Sequence, residues 1–510
     1  LCALAGYHLV RILLSCRTSG PSVAPAAAIG ALVFALHPLR VEAVAWVSAR
    51  RDLVSGLFLV LAALAYVSWA RSPGRAPGLY VASVAAYVLS LLGKSVGMTF
   101  PAVLLVLDVW PLGRSRDGRS AGRLLLEKVP FLVPAVATVI VTWVLRDRIG
   151  LMEGTAVVSV GQRIAIAAYG FAFYPARTVV PVGLAPLHEI EPALDPTSTV
   201  HVVAAVAVVA CTVQLAAARR RFPAALAAWL VYGILLAPVC GLFQGGVQKA
   251  ADRYSYVACL PFAVLAAAGF QALARSGSPV LVRRALCLAA GLSLAGLALA
   301  THRQCGYWRD SWTLWERQLA VDPESAQGHA HMGDLLFDAG RYEEAVDHLY
   351  PAVGRWPRHG QAWWSLGAAL ERSGRPSEAA AAFGRAAELG YEEARSRFSQ
   401  GNCLLRTGDP GAVNAFASAI DLSPGWPDPL INRAAARLRF GDPEGAIEDA
   451  GRAIDLDAGQ WRALAIRGRA LRILGRSAEA AADFDRAAGC APEEVRALLV
   501  QEAGEARGGK

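Results

Sequence analysis

Residues 37–52 of the chain, HPLRVEAVAWVSARRD, carry acidic and basic side chains between two apolar runs that are each long enough to cross a membrane. The polar members of this charged segment are His37, Arg40, Glu42, Arg50, Arg51 and Asp52. Arginines that stand near carboxylates suit an anionic headgroup such as a lipid phosphate. Charges beside apolar spans are also costly unless they are used. The charged segment therefore predicts a functional site at one face of an apolar domain.

The elements that must position these side chains follow from the distribution of apolar residues. The chain has 510 residues, of which 55% are hydrophobic, which is too apolar for an ordinary soluble enzyme. Up to about residue 301 the apolar residues form runs of seventeen or more with few charges, and after residue 305 such runs stop. We expect an all-α protein in which a multi-span membrane domain, residues 1–301, is followed by a soluble C-terminal part.

Net charge divides the chain in the same way. Residues 1–305 contain 26 Lys and Arg against 11 Asp and Glu, whereas residues 306–510 contain 24 against 30. The basic excess therefore belongs to the membrane loops, where it sets orientation. Because the soluble part is acidic, nucleic-acid binding is excluded as the expected function. The nine cysteines show no CxxC or paired spacing, so neither a metal site nor a disulfide framework is indicated.

Orientation is predicted from the basic loops. The loop from Arg114 to Lys128 is the most basic short loop, so the positive-inside rule places it in the cytoplasm. We expect residues 162–182 to lie along the outer interface, because Arg163, Pro175, Arg177 and Pro181 interrupt them. Since Leu1 stands inside a half-apolar stretch, we expect the N-terminus of the natural chain to be missing. The predicted complete spans are residues 21–36, 53–70, 78–93, 96–112, 129–145, 197–217, 223–243, 254–274 and 285–301.

This orientation puts the charged segment outside, where the charge rule does not explain three arginines. Lys94, one of only four lysines, stands between two apolar runs on the same side and is the strongest single candidate. The predicted outer polar set is His37, Arg40, Glu42, Arg50, Arg51, Asp52, Lys94, His188, Glu189, Gln244, Gln248, Asp252, Arg253 and Tyr254.

Several of these residues have two interpretations. His37 either donates to a phosphate or ends a helix at the interface. Asp252 and Arg253 either contact substrate or form a salt bridge that holds their loop. Asp108 lies near the cytoplasmic end of its span and is expected to pair with neighbouring backbone or an arginine.

The soluble part contains an internal repeat. Gly333, Gly367, Gly401, Ala434 and Gly468 recur at intervals of 33 or 34 residues, and a second glycine follows each by seven positions. This is the pattern of five tetratricopeptide repeats, expected over residues 326–494, with a capping helix and tail at 495–510. Such repeats commonly bind a peptide or another protein, and the alternative is a spacer or dimerisation arm. Trp308, Trp312 and Trp315 are expected on one face of a connecting helix over residues 302–325.

The chain resembles the transmembrane and tetratricopeptide-repeat proteins, whose animal members are protein O-mannosyltransferases, and we identify it as a bacterial-type member of that family. The resemblance covers nearly the whole chain. The residues that carry it are HPLRVEAVAWVSARRD (37–52), LLGKSVGMTFP (91–101), DVWPLGR (108–114), EKVPF (127–131) and ADRYSYVACLP (251–261). Gly93 and Ser95 depart from it, because relatives commonly have Ser and Pro on either side of the lysine.

The resemblance implies a C-type glycosyltransferase fold that transfers a sugar such as mannose from a polyprenyl-phosphate donor to a hydroxyl acceptor on the outer face. That chemistry needs a carboxylate base and a cationic clamp for the leaving phosphate. The carboxylate candidates are Glu42, Asp52 and Asp252, and the main base is expected in an acidic loop upstream of Leu1. The substrate-binding candidates are His37, Arg40, Arg50, Arg51, Lys94, Gln248 and Arg253.

Two functions from different classes are therefore predicted. The first is a membrane glycosyltransferase, in the bacterial inner membrane, whose extracytoplasmic repeats bind the acceptor or a partner protein. The second is a non-enzymatic scaffold that is anchored in the membrane and recruits proteins through the repeats. The expected ligands are membrane lipid, the lipid-linked sugar and a protein or peptide. No cofactor motif is identified, and the residues leave a requirement for a divalent metal open.

Overall fold

The chain divides into two compact units, Leu1–Val321 and Asp322–Lys510. The computed structural model describes residues 1–72, 74, 76–114, 120–148, 159–191, 194–242, 248–275 and 279–508. Gln244, and Arg116 and Arg119 of the predicted cytoplasmic loop, lie outside the described residues. Both units are built almost entirely from helices, as the composition and the repeat pattern predict.

The first unit contains fifteen described α-helices and a small sheet. The helices are α1 Cys2–Ser15, α2 Val23–Ala35, α3 Val41–Ala45, α4 Arg50–Arg71, α5 Pro77–Gly93, α6 Phe100–Val109, α7 Ala121–Leu126, α8 Val129–Arg148, α9 Val160–Val179, α10 Thr199–Ala217, α11 Pro223–Leu236, α12 Ser255–Ala258, α13 Leu260–Arg275, α14 Val280–Tyr307 and α15 Ser311–Val321. The sheet pairs β1 (His188–Glu189) with β2 (Gln248–Ala250) in antiparallel orientation, and His188 lies opposite Ala250.

Three helices of the described chain are long and apolar enough to cross a membrane, namely Val47–Arg71, Thr199–Ala217 and Val280–Tyr307. The number rises to five if each of two bent helix pairs forms one span. One pair, Val23–Ala35 with Pro38–Ala45, bends by 57°, and the other, Asp252–Ala258 with Leu260–Arg275, bends by 54°. The nine predicted spans stay a prediction, since the other apolar helices are only 10–17 residues long.

The charged segment lies at the first of these bends. The segment is too polar to continue one apolar helix, so it forms two short turns, Pro38–Arg40 and Val47–Ala49, on either side of α3. The other bend follows the turn Asp252–Tyr254. Two breaks in apolar helices therefore supply the polar loops from which the candidate site is built.

The second unit stacks five helix pairs and ends in α26, Glu493–Gly508. The pairs are α16 Ala326–Asp338 with α17 Tyr342–Arg355, α18 Gly360–Arg372 with α19 Pro376–Glu388, α20 Glu393–Thr407 with α21 Gly411–Leu422, α22 Pro427–Arg439 with α23 Pro443–Leu456, and α24 Trp461–Ile473 with α25 Ser477–Cys490. The five repeats predicted from the glycine and alanine spacing are confirmed as helix pairs.

Close packing inside each helix pair explains why a small residue recurs on the first helix. These residues are Gly333, Gly367, Gly401, Ala434 and Gly468. A Cβ at Gly401 would lie 2.6 Å from the Phe416 ring, and a Cβ at Gly367 would lie 2.8 Å from the Phe383 ring. The fourth repeat tolerates Ala434, and the residue at the matching partner position in that repeat is Ala450, which is small. The size of the side chain on the second helix therefore accounts for the small residue on the first.

The second glycine column ends the first helix of each pair. Gly340, Gly374, Gly408, Gly441 and Gly475 have φ values between 75° and 88°. Only glycine adopts this left-handed conformation without steric cost, and it allows the chain to turn back into the second helix.

The prediction that Trp308, Trp312 and Trp315 lie on one helix is wrong. Trp308 follows the last residue of α14, whereas Trp312 and Trp315 lie on α15, so the three do not share one helix. The break is fixed by Asp310, whose carboxylate accepts a hydrogen bond of 2.9 Å from the backbone N–H of Thr313. A spacing of four and three residues predicted one helix, but an aspartate that caps a new helix overrides that pattern.

Candidate functional site

The ion pair between Glu42 and Arg253 joins the charged segment to the turn Asp252–Tyr254. The Arg253 guanidinium contacts Glu42 Oε1, and the backbone N–H of Arg253 donates to Oε2 over 2.7 Å. The guanidinium also lies 4.9 Å from the centre of the Trp46 ring. Because both carboxylate oxygens are engaged and Glu42 is buried, this pair fixes two loops that are 211 residues apart in the sequence.

Arg40 extends the same cluster into the protein. Its guanidinium is buried and donates to Ser255 Oγ over 2.6 Å, and Ser255 Oγ in turn donates to the backbone oxygen of Asp252 over 2.5 Å. Among the described residues, Arg40 Nε has no hydrogen-bond partner. Arg40 therefore places a positive charge near the Asp252 turn while it contacts a neutral hydroxyl.

Asp252 is a buried carboxylate with unused hydrogen-bonding capacity. The residue is only 2% exposed, and its Oδ1 has no hydrogen-bond partner within the described part of the chain. The nearest basic group is His188 Nε2, at 3.5 Å, which is too long for a strong hydrogen bond. A buried polar atom of this kind is costly and often marks a functional group. Asp252 can therefore accept a proton or a hydrogen bond from a ligand.

The small sheet brings His188 to Asp252. β1 carries His188 and pairs with β2, whose residues lead directly into the Asp252 turn. Gln248 of β2 donates from its side-chain amide to the Tyr254 hydroxyl. The sequence placed His188 on the expected outer side but gave no reason to pair it with Asp252, since the pairing depends on a strand of only two residues.

A second ion pair joins Lys94 and Asp52. Asp52 lies in the first turn of α4, where the helix dipole stabilises a carboxylate, and Lys94 directly follows the last residue of α5. Ser55 Oγ donates to the backbone oxygen of Lys94 over 3.3 Å, which helps to hold that end of α5. Lys94 Nζ lies 5.9 Å from the centre of the Tyr254 ring, so this pair faces the Asp252 turn.

The two ion pairs border one small polar pocket of about 20 Å³. Asp52, Lys94, Arg253 and Tyr254 line its polar part. A volume of that size holds about one water molecule. The pocket therefore gathers two predicted cations and one predicted carboxylate in an arrangement that is closed to a larger anion.

Other predicted residues are placed apart from this pocket. Arg50 and Arg51 are exposed in the first turn of α4, and neither forms an ion pair with a described residue. His37 is buried: its Nδ1 accepts from the backbone N–H of Leu39 over 3.2 Å, and its Nε2 lies 3.0 Å from the backbone oxygen of Thr178. Both imidazole nitrogens of His37 are therefore used to hold the turn against α9.

A different charged cluster surrounds Asp108, which is fully buried. Asp108 Oδ1 contacts Arg114 over 2.9 Å, and Oδ2 contacts Lys128 over 2.6 Å. The Tyr66 hydroxyl lies 2.9 Å from Oδ1 and 3.0 Å from Oδ2. The expectation that Asp108 pairs with an arginine is confirmed. Within the described residues, no group of three or more His, Cys, Asp or Glu is arranged to hold a metal ion.

Comparison with protein families identifies the repeats. The family model for the tetratricopeptide repeat matches residues 331–388, 369–427 and 431–495. The second unit therefore contains tetratricopeptide repeats, and the chain is similar to the TMTC protein O-mannosyl-transferases.

Human protein O-mannosyl-transferase TMTC1 is 23% identical over 383 residues, which is 66% of this chain and 43% of the human protein. This match extends beyond the repeats, because it includes more residues than the second unit contains. Tetratricopeptide repeat protein 36 of Danio rerio is 39% identical over 106 residues, or 20% of this chain and 57% of that protein. The chain thus spans less than two thirds of either relative.

Solved structures with similarity include YrrB, described as a TPR protein with an unusual peptide-binding site. Its sequence is 17% identical, and the match covers 37% of this chain and 97% of YrrB with a TM-score of 0.34. The MamA protein is 21% identical, with 34% of this chain and 96% of MamA covered and a TM-score of 0.32.

Proposed function

We propose that the protein is a membrane glycosyltransferase that moves a sugar such as mannose from a polyprenyl-phosphate donor to a hydroxyl of a protein acceptor on the extracytoplasmic face. The proposal is supported by the similarity to protein O-mannosyl-transferases, which extends past the repeats. It rests most directly on the unpartnered oxygen of the buried Asp252 carboxylate, beside His188 and next to the Glu42–Arg253 pair.

Asp252 is assigned the proton-accepting role among the three predicted carboxylates. Glu42 and Asp52 are each engaged by a cation, Arg253 and Lys94 respectively, so they serve to position those cations. In the proposed step the acceptor oxygen bonds to the anomeric carbon, the bond from that carbon to the phosphate oxygen breaks, and the hydroxyl proton passes to a carboxylate. Asp252 supplies this base.

The leaving phosphate is assigned to the polar pocket between the two ion pairs. Lys94 and Arg253 supply charge-assisted hydrogen bonds there, and Arg50 and Arg51 add positive charge on exposed positions of the same helix that carries Asp52. A pocket of about 20 Å³ is too small for a phosphate, so donor binding must widen it. The Lys94–Asp52 pair is part of the pocket wall and is the pair that we assign to this opening.

The repeats are proposed to bind the acceptor or a partner protein. Their helix-pair fold is that of tetratricopeptide repeats, and stacked repeats of this kind provide an extended surface for peptides. The competing proposal is a scaffold without transferase activity, in which the matched tetratricopeptide repeats recruit proteins.

A transfer assay on the full-length chain in sealed membranes tests the proposal, with radiolabelled polyprenyl-phosphate mannose as donor. We expect Lys94→Ala and Arg50→Ala to reduce transfer, by about 100-fold for Lys94→Ala because it removes a charged hydrogen-bond donor from the reacting phosphate. Arg220→Ala is the matched control, because Arg220 is an exposed arginine outside this pocket.

Full activity in both Lys94→Ala and Arg50→Ala would overturn the phosphate clamp. If the unaltered protein transfers no sugar from any polyprenyl-phosphate donor but still captures proteins through its repeats, the scaffold is the correct function. Protease added from the cytoplasmic side should leave the repeats intact, and their cleavage would contradict the predicted extracytoplasmic location.

A further inference from the structure

The first unit also contains a larger cavity, which is lined mostly by apolar side chains, unlike the polar pocket. Its volume is about 300 Å³, and α1, α4, α6, α11 and α13 form its wall. Leu59, Leu235 and Val257 line both the cavity and the polar pocket, so the two adjoin at one end. Most of the wall is aliphatic, which suits a hydrocarbon chain.

The opposite end of this cavity is polar. Arg17, Thr18, Gln271 and Arg275 line it there, where α1 and α13 end. Thr18 Oγ1 donates to Gln271 Oε1 over 3.1 Å. Gln271 is only 4% exposed, and its Nε2 has no hydrogen-bond partner in the described ranges of the chain. A buried amide N–H at the border of the cavity is therefore available to a ligand oxygen.

The two arginines at this end carry charge that no described carboxylate neutralises. Arg17 lies 4.1 Å from the centre of the Trp110 ring, and Arg275 donates to Ser22 Oγ over 3.1 Å. Neither arginine forms an ion pair with a described residue, and both are exposed. In the polar pocket that adjoins the other end, by contrast, Lys94 and Arg253 are each paired with a carboxylate. Charge complementarity thus favours an anionic group at the arginine end.

We propose that this cavity binds an anionic membrane phospholipid, with an acyl chain along the aliphatic wall and the phosphate between Arg17 and Arg275. The Gln271 amide donates to an ester or phosphate oxygen of the same lipid. Gly113 lies beside Arg17, with 3.3 Å between the position of a Cβ and the guanidinium, so this site is on the side of the basic loop that begins at Arg114. That loop is predicted to be cytoplasmic, which assigns the site to inner-leaflet lipid.

Native mass spectrometry of the full-length protein in detergent tests the site, with palmitoyl-oleoyl phosphatidylglycerol, the matching phosphatidylcholine and polyprenyl phosphate as probes. We expect phosphatidylglycerol to bind the unaltered protein more tightly. The double variant Arg17→Ala, Arg275→Ala should bind it about 30-fold more weakly, because each arginine near a phosphate contributes about a fivefold gain. Arg219→Ala, Arg220→Ala is the matched control, since it removes two exposed arginines that do not line the cavity.

A second variant tests the chain-binding part. Ala228→Phe fills the aliphatic wall and should weaken both phospholipids without changing the preference for phosphatidylglycerol. Comparable unfolding temperatures in the absence of lipid would show that each variant is folded. Equal binding of the two lipids, or unchanged phosphatidylglycerol binding in the arginine double variant, overturns the proposal. If the double variant loses only polyprenyl phosphate, the occupant is the donor lipid and the phospholipid assignment is wrong.

Discussion

Asp108 and Asp252 are both buried aspartates of the first unit, yet their surroundings differ. Asp108 contacts Arg114, Lys128 and the Tyr66 hydroxyl, so both of its carboxylate oxygens are engaged. Asp252 has one oxygen without a hydrogen-bond partner among the described residues, and its nearest basic group is a histidine at 3.5 Å. The first arrangement stabilises a fold, whereas the second leaves a group that can interact with a substrate.

The number of charges around each aspartate does not indicate which of the two is functional. The Asp108 cluster contains two cations at contact distance and is the more highly charged site, and both oxygens of its carboxylate are engaged, although Arg114 Nε has no hydrogen-bond partner among the described residues. The Asp252 turn is less charged at contact distance and is less completely paired. A buried carboxylate oxygen without a partner is thus a better sign of function than the number of charges in a cluster.

The largest expected effect comes from breaking the Asp108 cluster. Asp108→Ala leaves Arg114 and Lys128 buried without their shared carboxylate, which should destabilise the protein by about 3–5 kcal/mol. The measurement is the unfolding temperature and the yield of monodisperse protein in detergent. Stability equal to that of the unaltered protein would show that this cluster does not hold the fold.

The matched substitution, at Asp252, should lower the transfer activity and leave the stability nearly unchanged. Asp252→Asn keeps the size of the side chain, and because one oxygen is unpartnered, the unfolding temperature should stay close to that of the unaltered protein. Sugar transfer should fall by about 100-fold or more, since a general base contributes at least that factor. A variant that folds and transfers normally would exclude Asp252 as the base.

The smallest expected effect concerns titratable groups in the repeats, outside the membrane spans. Burial lowers the pKa of the His331 and His359 imidazoles below the ordinary value. His359 Nδ1 also accepts from the backbone N–H of Ala362 over 3.2 Å, an interaction that protonation at Nδ1 removes. Burial raises the pKa of the Asp334 carboxyl, which works in the opposite direction because the protonated form is then favoured.

The direction of the pH dependence of stability follows from the lowered pKa values of His331 and His359. The unfolded chain takes up protons at these histidines near pH 6.5, before the folded chain does, so stability that is present above that pH is lost as pH falls below it. Hydrogen exchange in full-length protein, corrected for the intrinsic rate, should show faster opening of α16 and α18 at pH 5.5 than at pH 7.5. The helix α24, which contains no histidine, is the internal control. His359→Gln should reduce the difference, and an unchanged difference would contradict the assignment.

The two units were predictable from sequence to different degrees. The repeats are set by local rules that recur, namely a small residue where two helices touch and a glycine where the chain turns, and both columns are found at the predicted positions. The sequence groups the charged side chains of residues 37–52 in one stretch, but it does not predict which side chains they form ion pairs with. Arg253 pairs with Glu42 because the polar loops at the two bends meet, and Lys94 pairs with Asp52 because the end of α5 returns to the first turn of α4.

Sequence by itself determined that an apolar helical region precedes five tetratricopeptide repeats, because hydrophobic runs and repeat periods are properties of consecutive residues. It also singled out Asp252 as one of three candidate carboxylates. Only the tertiary structure distinguished Asp252 from Glu42 and Asp52, since hydrogen-bond satisfaction depends on side chains that are distant in the chain. The unpartnered Gln271 amide and its proximity to Arg17 and Arg275 were equally unpredictable from the sequence, because they depend on the packing of α1 and α13 around one cavity.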